Sequence, residues 1–214
     1  MDVVVDFRLY LITNRQQTAG RELPAVVAAA LAGGARCIQL REKDLATRQL
    51  FDLARELRRL TREYGARLLI NDRIDVALAA EADGVHLGIN SLPLGEARRI
   101  LGPGRLIGYS AHSSAEALRA EQDGANFVTF GPVYHTPSKA AYGAPQGLER
   151  LSETARSLAI PIFALGGVKK TSIPEVMAAG CHGVALISAI IGAADPAEAT
   201  NELLGTIESH ARTI

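Results

Sequence analysis

Eight short aliphatic runs, the helical patterns alternating with them, and a glycine turn that recurs ahead of every second run predict a (βα)8 barrel, the TIM-barrel architecture, as one domain over residues 1–214. Parallel strands need a crossover to return to the same sheet, and a helix supplies one. An open doubly wound sheet is the other α/β solution, but no GxGxxG follows the first strand.

The runs expected as strands, in order, are RLYLIT (8–13), CIQLRE (37–42), RLLIND (67–72), GVHLG (84–88), LIGYSA (106–111), FVTFGPV (127–133), PIFALGG (161–167) and GVALISA (183–189). Each is bounded by glycine, proline or polar residues, as strands are. Between them lie segments of helical character: LPAVVAAALAGG, ATRQLFDLARELRRLTREYG, IDVALAAEA, LGEARRILG, SAEALRAEQDG, GLERLSETARSL and IPEVMAAG. Several of these stop on glycine, the usual left-handed helix terminus. The closing helix, PAEATNELLGTIESHAR, starts behind Asp195 as N-cap with Pro196 in the first helical position. The internal repeat is weak but regular. GGARCIQL, DGVHLG, DGANFVTFG and AGCHGVALIS put a glycine turn before the second, fourth, sixth and eighth strands, which suits a barrel whose alternate strands fill alternate interior layers.

At 214 residues and 48% hydrophobic, the chain can bury one core, and no linker or low-complexity segment divides it. Lys plus Arg equals Asp plus Glu at 23 each, so no overall field points to nucleic acid or to a membrane surface. Any anionic partner must be a small molecule recognised locally. Cys37 and Cys181 sit in apolar stretches without metal or redox spacing and are expected to pack as small hydrophobes. The first residues, MDVVVDFRLYLIT, have no basic region ahead of the apolar stretch, and no run reaches the roughly 20 apolar residues of a membrane span. A soluble, reducing, cytoplasmic setting is expected. The oligomeric state is open, and a homo-oligomer is compatible with the sequence.

Barrel chemistry collects at the C-terminal ends of strands. Here those ends carry Thr13 and Asn14; Gln39, Arg41 and Lys43; Asn71 and Asp72; His86; Ser110 and His112; Thr136, Ser138 and Lys139; Gly166 and Gly167; and Ser188. Three cations, Arg41, Lys43 and Lys139, face two carboxylates, Glu42 and Asp72, which suits a phosphorylated ligand or else forms a solvated rim. Gly166, Gly167 and Ser188 fall where many barrels build a phosphate site, although a glycine pair also serves a tight turn. Asp72 suits Mg²⁺, which takes one or two carboxylates plus substrate phosphates; a bridge to Arg41 or Lys43 is the competing role. His86 is expected in the interior, with Gly84 and Gly88 leaving it room. His112 and His135 are expected to line the mouth, and His182 and His210 to be structural or solvated. No GxSxG, HExxH or nucleophilic Cys/His pair occurs.

The motifs IQLREK, LINDRIDVALAAEADGVHLG, IGYSAHS, DGANFVTFGPVYHTPSK, IPIFALGGV and GVALISAI, in this order over nearly the whole chain, resemble the thiamine phosphate synthase family and its relatives the thiazole tautomerases. The resemblance implies a (βα)8 enzyme joining hydroxymethylpyrimidine diphosphate to hydroxyethylthiazole phosphate, with release of pyrophosphate. It also implies that Gln39, Arg41, Lys43, Asn71, Ser110 and Lys139 hold the pyrimidine and its diphosphate, with Asp72 on Mg²⁺. Arg41, Ser110 and Lys139 would carry the catalysis. Thr136, Ser138, Gly167, Ile187 and Ser188 would hold the thiazole phosphate. After GVHLG the synthase pattern reads Gln, a variable residue and a second metal-binding Asp, whereas this chain reads Ile89, Asn90 and Ser91. Tautomerases carry a catalytic His directly after the strand-six glycine, where this chain has Pro132. The expected activity is therefore the synthase, with a tautomerase and a noncatalytic phosphate-ligand-binding regulator as alternatives.

Overall fold

The computed structural model describes residues 4–136 and 144–211. The eight expected runs form β1 (Leu9–Ile12), β2 (Cys37–Leu40), β3 (Arg67–Asn71), β4 (Gly84–Leu87), β5 (Leu106–Ala111), β6 (Phe127–Phe130), β7 (Ile162–Leu165) and β8 (Gly183–Leu186). Each strand pairs in parallel with the next, and β8 pairs with β1, so the sheet closes. Most of the strands end before the runs do. Arg41 and Lys43 follow the end of β2, and Asp72 that of β3.

Among the described residues the helices are α1 (Leu23–Ala32), α2 (Thr47–Glu63), α3 (Ile74–Ala79), α4 (Leu94–Leu101), α5 (Ser114–Gln122), α6 (Gly147–Ser157), α7 (Ile173–Ala178), α8 (Ser188–Ile191) and α9 (Pro196–His210). All except α8 lie on the segments expected to be helical. This single turn was missed because four residues carry no measurable period. The α9 cap forms as expected: the Asp195 carboxylate accepts from the N–H groups of Ala197 (2.9 Å) and Glu198 (3.0 Å). In α2, Leu50, Ala54, Leu57 and Leu60 are buried, while Arg48 pairs with Asp52 and Arg59 with Glu63 on the outer face.

Because successive strand residues face opposite sides, the core has two layers. Outward residues such as Leu9, Leu11, Ile38, Leu68 and Val184 pack under the helices. Inward ones, among them Tyr10, Cys37, Leu69, Leu106, Phe127 and Phe163, fill the barrel. Both faces of every strand are covered, which is why the strands read as unbroken aliphatic runs. Cys37 and Cys181 are free and buried, and burial pushes both thiols up, Cys181 to about 12. The core-packing expectation for both holds.

The N-terminal end of the barrel forms a floor. Phe7 stacks on Phe163 and meets Phe127 edge-on. Around these rings Arg67 pairs with Asp6 (2.9 Å) and Arg58 with Asp83 (2.6 Å), and Asp83 also accepts from the Leu68 N–H (2.8 Å). His182 donates from Nε2 to the Phe7 carbonyl (3.1 Å), and Arg8 donates to the His182 carbonyl (3.0 Å). Burial, with the Arg8 charge, holds the His182 imidazole below its ordinary pKa.

Candidate active site

The inward positions of the strands lead up to the mouth, and there polar residues replace aromatic ones. Gln39 lies two residues after Cys37, His86 two after Gly84, Ser110 two after Gly108, and Thr129 two after Phe127. They meet in one interior network. Gln39 donates from Nε2 to the Tyr10 hydroxyl (2.8 Å), which lies 3.3 Å from His86 Nδ1. His86 Nε2 lies 3.3 Å from Ser110 Oγ and 3.4 Å from Thr129 Oγ1, and the two hydroxyls are 3.3 Å apart. All but Ser110 are buried; Ser110, half-buried, is the member nearest solvent. Tyr10 and Thr129 were not singled out by sequence, though both occupy inward positions that alternation identifies. The space for His86 comes from a different glycine than expected. Gly108, its partner across the β4–β5 ladder, would place a Cβ 2.5 Å from His86 Nδ1, so any side chain there would displace the ring.

At the end of β2, Arg41 and Lys43 reach the mouth and form no ion pair among the described residues. Glu42, between them, does not share it. Its carboxylate is buried and accepts from Thr13 Oγ1 (2.6 Å) and from the Arg15 N–H (3.1 Å to each oxygen). Thr13 Oγ1 in turn accepts from the Arg41 N–H (2.9 Å). Glu42 and Thr13 therefore hold the backbone that presents Arg41, a supporting role that the reading of both as rim residues overlooked. Alternation accounts for it, since 37, 39 and 41 share one face and 42 lies on the other.

At the end of β3, Asp72 adopts a left-handed conformation (φ 62°), tolerated by Asp better than by most residues. Its carboxylate accepts from Asn71 Nδ2 (3.0 Å) and from the Ser91 hydroxyl. Ser91 Oγ also accepts from the Gly88 N–H (2.7 Å). A bridge from Asp72 to Arg41 or Lys43, its competing role, does not form. Ser91, where the synthase pattern has its second carboxylate, stands directly against Asp72.

The loop after β6 packs over β7. Val133 and Tyr134 donate backbone N–H bonds to the Leu165 (2.9 Å) and Gly166 (3.0 Å) carbonyls. Gly166 and Gly167 both have positive φ, and a Cβ on either would lie 2.7 Å from Pro132 or Tyr134. The pair therefore does form a tight turn, and the same turn brings Gly167 against the segment leading to Thr136. Ile187 and Ser188 follow β8, the strand paired with β7, at the start of α8. Ser138 and Lys139 lie outside the described residues. His112 Nδ1 contacts the Gly131 carbonyl (2.6 Å), fastening the end of β5 to that of β6, while His135 is exposed. His210 bonds within α9 and lies far along the chain from every rim segment.

The family described as thiamine monophosphate synthase matches residues 9–190. The chain belongs to this family. A Geobacter sulfurreducens protein named provisionally as a thiamine-phosphate synthase is 60% identical over 97% of this chain and 98% of its own. The thiamine-phosphate synthase of Chloroflexus aurantiacus is 44% identical over 94% of this chain and 92% of its own. The solved structure of thiamine phosphate pyrophosphorylase from Pyrococcus furiosus superposes with a TM-score of 0.87 at 40% identity, covering 94% of this chain and 96% of that one.

Within this family barrel, the donors around Asp72 suit a hard cation in one specific form. Asp72 and Ser91 supply one carboxylate and one hydroxyl oxygen, while Asn71 turns its amide nitrogen to Asp72, and no group of three or more His, Cys, Asp or Glu side chains that could hold a metal ion occurs among the described residues. Such a set would leave most of a Mg²⁺ shell to water and substrate phosphate rather than to a protein cage. No helix among the described residues is long and apolar enough to cross a membrane.

Proposed function

We propose that this chain is a thiamine-phosphate synthase, joining hydroxymethylpyrimidine diphosphate to hydroxyethylthiazole phosphate. The observation that carries the reading is the pair of cations Arg41 and Lys43, without ion pairs among the described residues, beside the Gln39 and Ser110 polar floor of the mouth. Relatives named as synthases at 44–60% identity support it. The alternatives are less well supported. Pro132 is buried at the position where a tautomerase carries its His, and it has no proton to transfer.

In this reading Gln39, Asn71 and Ser110 hold the pyrimidine, and Arg41, Lys43 and Lys139 its diphosphate. Thr136, Ser138, Gly167, Ile187 and Ser188 hold the thiazole phosphate. The methylene C–O bond breaks with its electron pair leaving on diphosphate, and the thiazole nitrogen then donates its lone pair to the methylene cation to form the new C–N bond. No proton is transferred in this balance, so stabilisation of the departing charge by Arg41 and Lys139 replaces a general base. Mg²⁺ held by Asp72 would neutralise part of the diphosphate charge. Buried thiols and a balanced charge fit a cytoplasmic enzyme acting on small phosphorylated substrates without nucleic acid or membrane.

Chromatographic detection of thiamine phosphate from the two substrates, with Mg²⁺ and with chelator, tests the proposal. Product with metal supports it. No product in either condition overturns it, and conversion of a thiazole carboxylate phosphate tautomer instead would establish the tautomerase.

A further inference from the structure

We propose that buried His86 is a positioning residue, which relays hydrogen bonds from Tyr10 to Ser110 and thereby aims the Ser110 hydroxyl as a donor into the mouth. The inference rests on the reading of Ser110 and Gln39 as pyrimidine-binding residues.

The direction of the relay follows from counting donors. The Tyr10 oxygen accepts from Gln39 Nε2, so its single proton is available for His86 Nδ1. Burial pushes the Tyr10 phenol well above its usual pKa and keeps that proton in place. With Nδ1 accepting, a neutral imidazole carries its proton on Nε2, the nitrogen facing Ser110 and Thr129. If Thr129 also donates to Ser110, both Ser110 lone pairs are engaged, and its proton points to the only side left, the mouth. A pyrimidine ring nitrogen is an acceptor that this proton would meet. The same chain orients the Gln39 amide, whose Oε1 and second Nε2 proton remain for the ligand.

The surroundings keep the imidazole in place. Phe127 and Tyr10 pack against it, with ring centroids 5.8 and 5.5 Å away, and Gly108 leaves a space that only a missing Cβ provides. A His packed against two aromatic rings and bonded at both nitrogens is suited to one tautomer.

Two measurements on the full chain test the relay. The first reads the tautomer from two-bond ¹H–¹⁵N correlations of the five histidines, with His86 assigned by its loss in His86→Phe. In the neutral ring the proton is expected on Nε2, and Tyr10→Phe, which keeps the ring, should give mixed tautomers. A proton on Nδ1 of the neutral ring in the wild type, or mixed tautomers there, overturns the relay. The second is kinetic. His86→Phe should raise KM for the pyrimidine diphosphate about tenfold and leave KM for the thiazole phosphate within about twofold, with Tyr10→Phe about threefold on the first alone. His86→Gln, which retains a donor and an acceptor, should recover part of the loss. Equal rises in both KM values, or a lower Tm with unchanged kinetics of the folded fraction, overturn the positioning role. The spectra need no turnover, so absence of product from the wild type would defeat the synthase reading without deciding the relay.

Discussion

At the floor of the barrel Arg67 and Arg58 are matched by Asp6 and Asp83, whereas at the mouth Arg41 and Lys43 form no ion pair among the described residues. The two ends are built from the same strands, so the difference is one of partners and not of composition. Paired charges at the floor stabilise the fold. In the proposed function the mouth cations, which form no ion pair among the described residues, keep their donors for an anionic ligand, the usual compromise at a binding site.

Under the proposed function, removing cations assigned to the diphosphate should have the largest effect on turnover. Arg41→Ala and Lys139→Ala are each expected to lower kcat/KM by about a hundredfold or more, with Tm nearly unchanged, because charge stabilisation at a leaving group is usually the dominant catalytic contribution. Steady-state kinetics with parallel thermal melts check this. Unchanged turnover in both variants would remove these residues from the site.

At the floor the opposite outcome is expected. Asp83→Ala should cost about 2–3 kcal/mol of stability, because it strips Arg58 of its partner in a mostly buried position and leaves the Leu68 N–H without an acceptor. Urea denaturation measures the loss. Activity per folded molecule should stay near wild type, and a large fall in it would show that the two ends are not separable.

Ser91→Asp sharpens the comparison by adding charge at the mouth. A second carboxylate beside Asp72 should lower the Mg²⁺ concentration for half activity by about tenfold, since Mg²⁺ favours carboxylate over hydroxyl oxygen. A metal titration of activity reads the shift directly. No shift would mean that substrate phosphate dominates the coordination.

The smallest effect expected is a pH slope from the floor. The His182 pKa is lower in the folded chain than when unfolded, so below its ordinary value of 6.5 the unfolded state binds more protons. Its contribution is complete above that value and is lost as the pH falls from there towards the folded pKa. Denaturant midpoints of wild type and His182→Gln should therefore diverge in pH dependence only below that point. Parallel curves would assign the slope to other groups.

Sequence by itself determined the order of strands and helices, the closed barrel class and the polar identity of the rim. These follow from local period and from burial of both strand faces, which leave a mark on every few residues. The α9 cap and the core roles of Cys37 and Cys181 were local enough to read in the same way. What only the tertiary structure decided is which polar residues meet. Barrel closure brings Tyr10 to His86, 76 positions apart, and His86 to Thr129, 43 apart. Register, not spacing, made Gly108 rather than Gly84 or Gly88 the residue that admits His86. Glu42 turned away from the rim for a reason of the same kind, because Thr13 and the Arg15 N–H on the neighbouring β1 loop satisfy its carboxylate better than water at the mouth. Asp72 found Ser91 across two strands instead of a nearby cation. A local pattern records which way a side chain faces, while its partner depends on how the strands close.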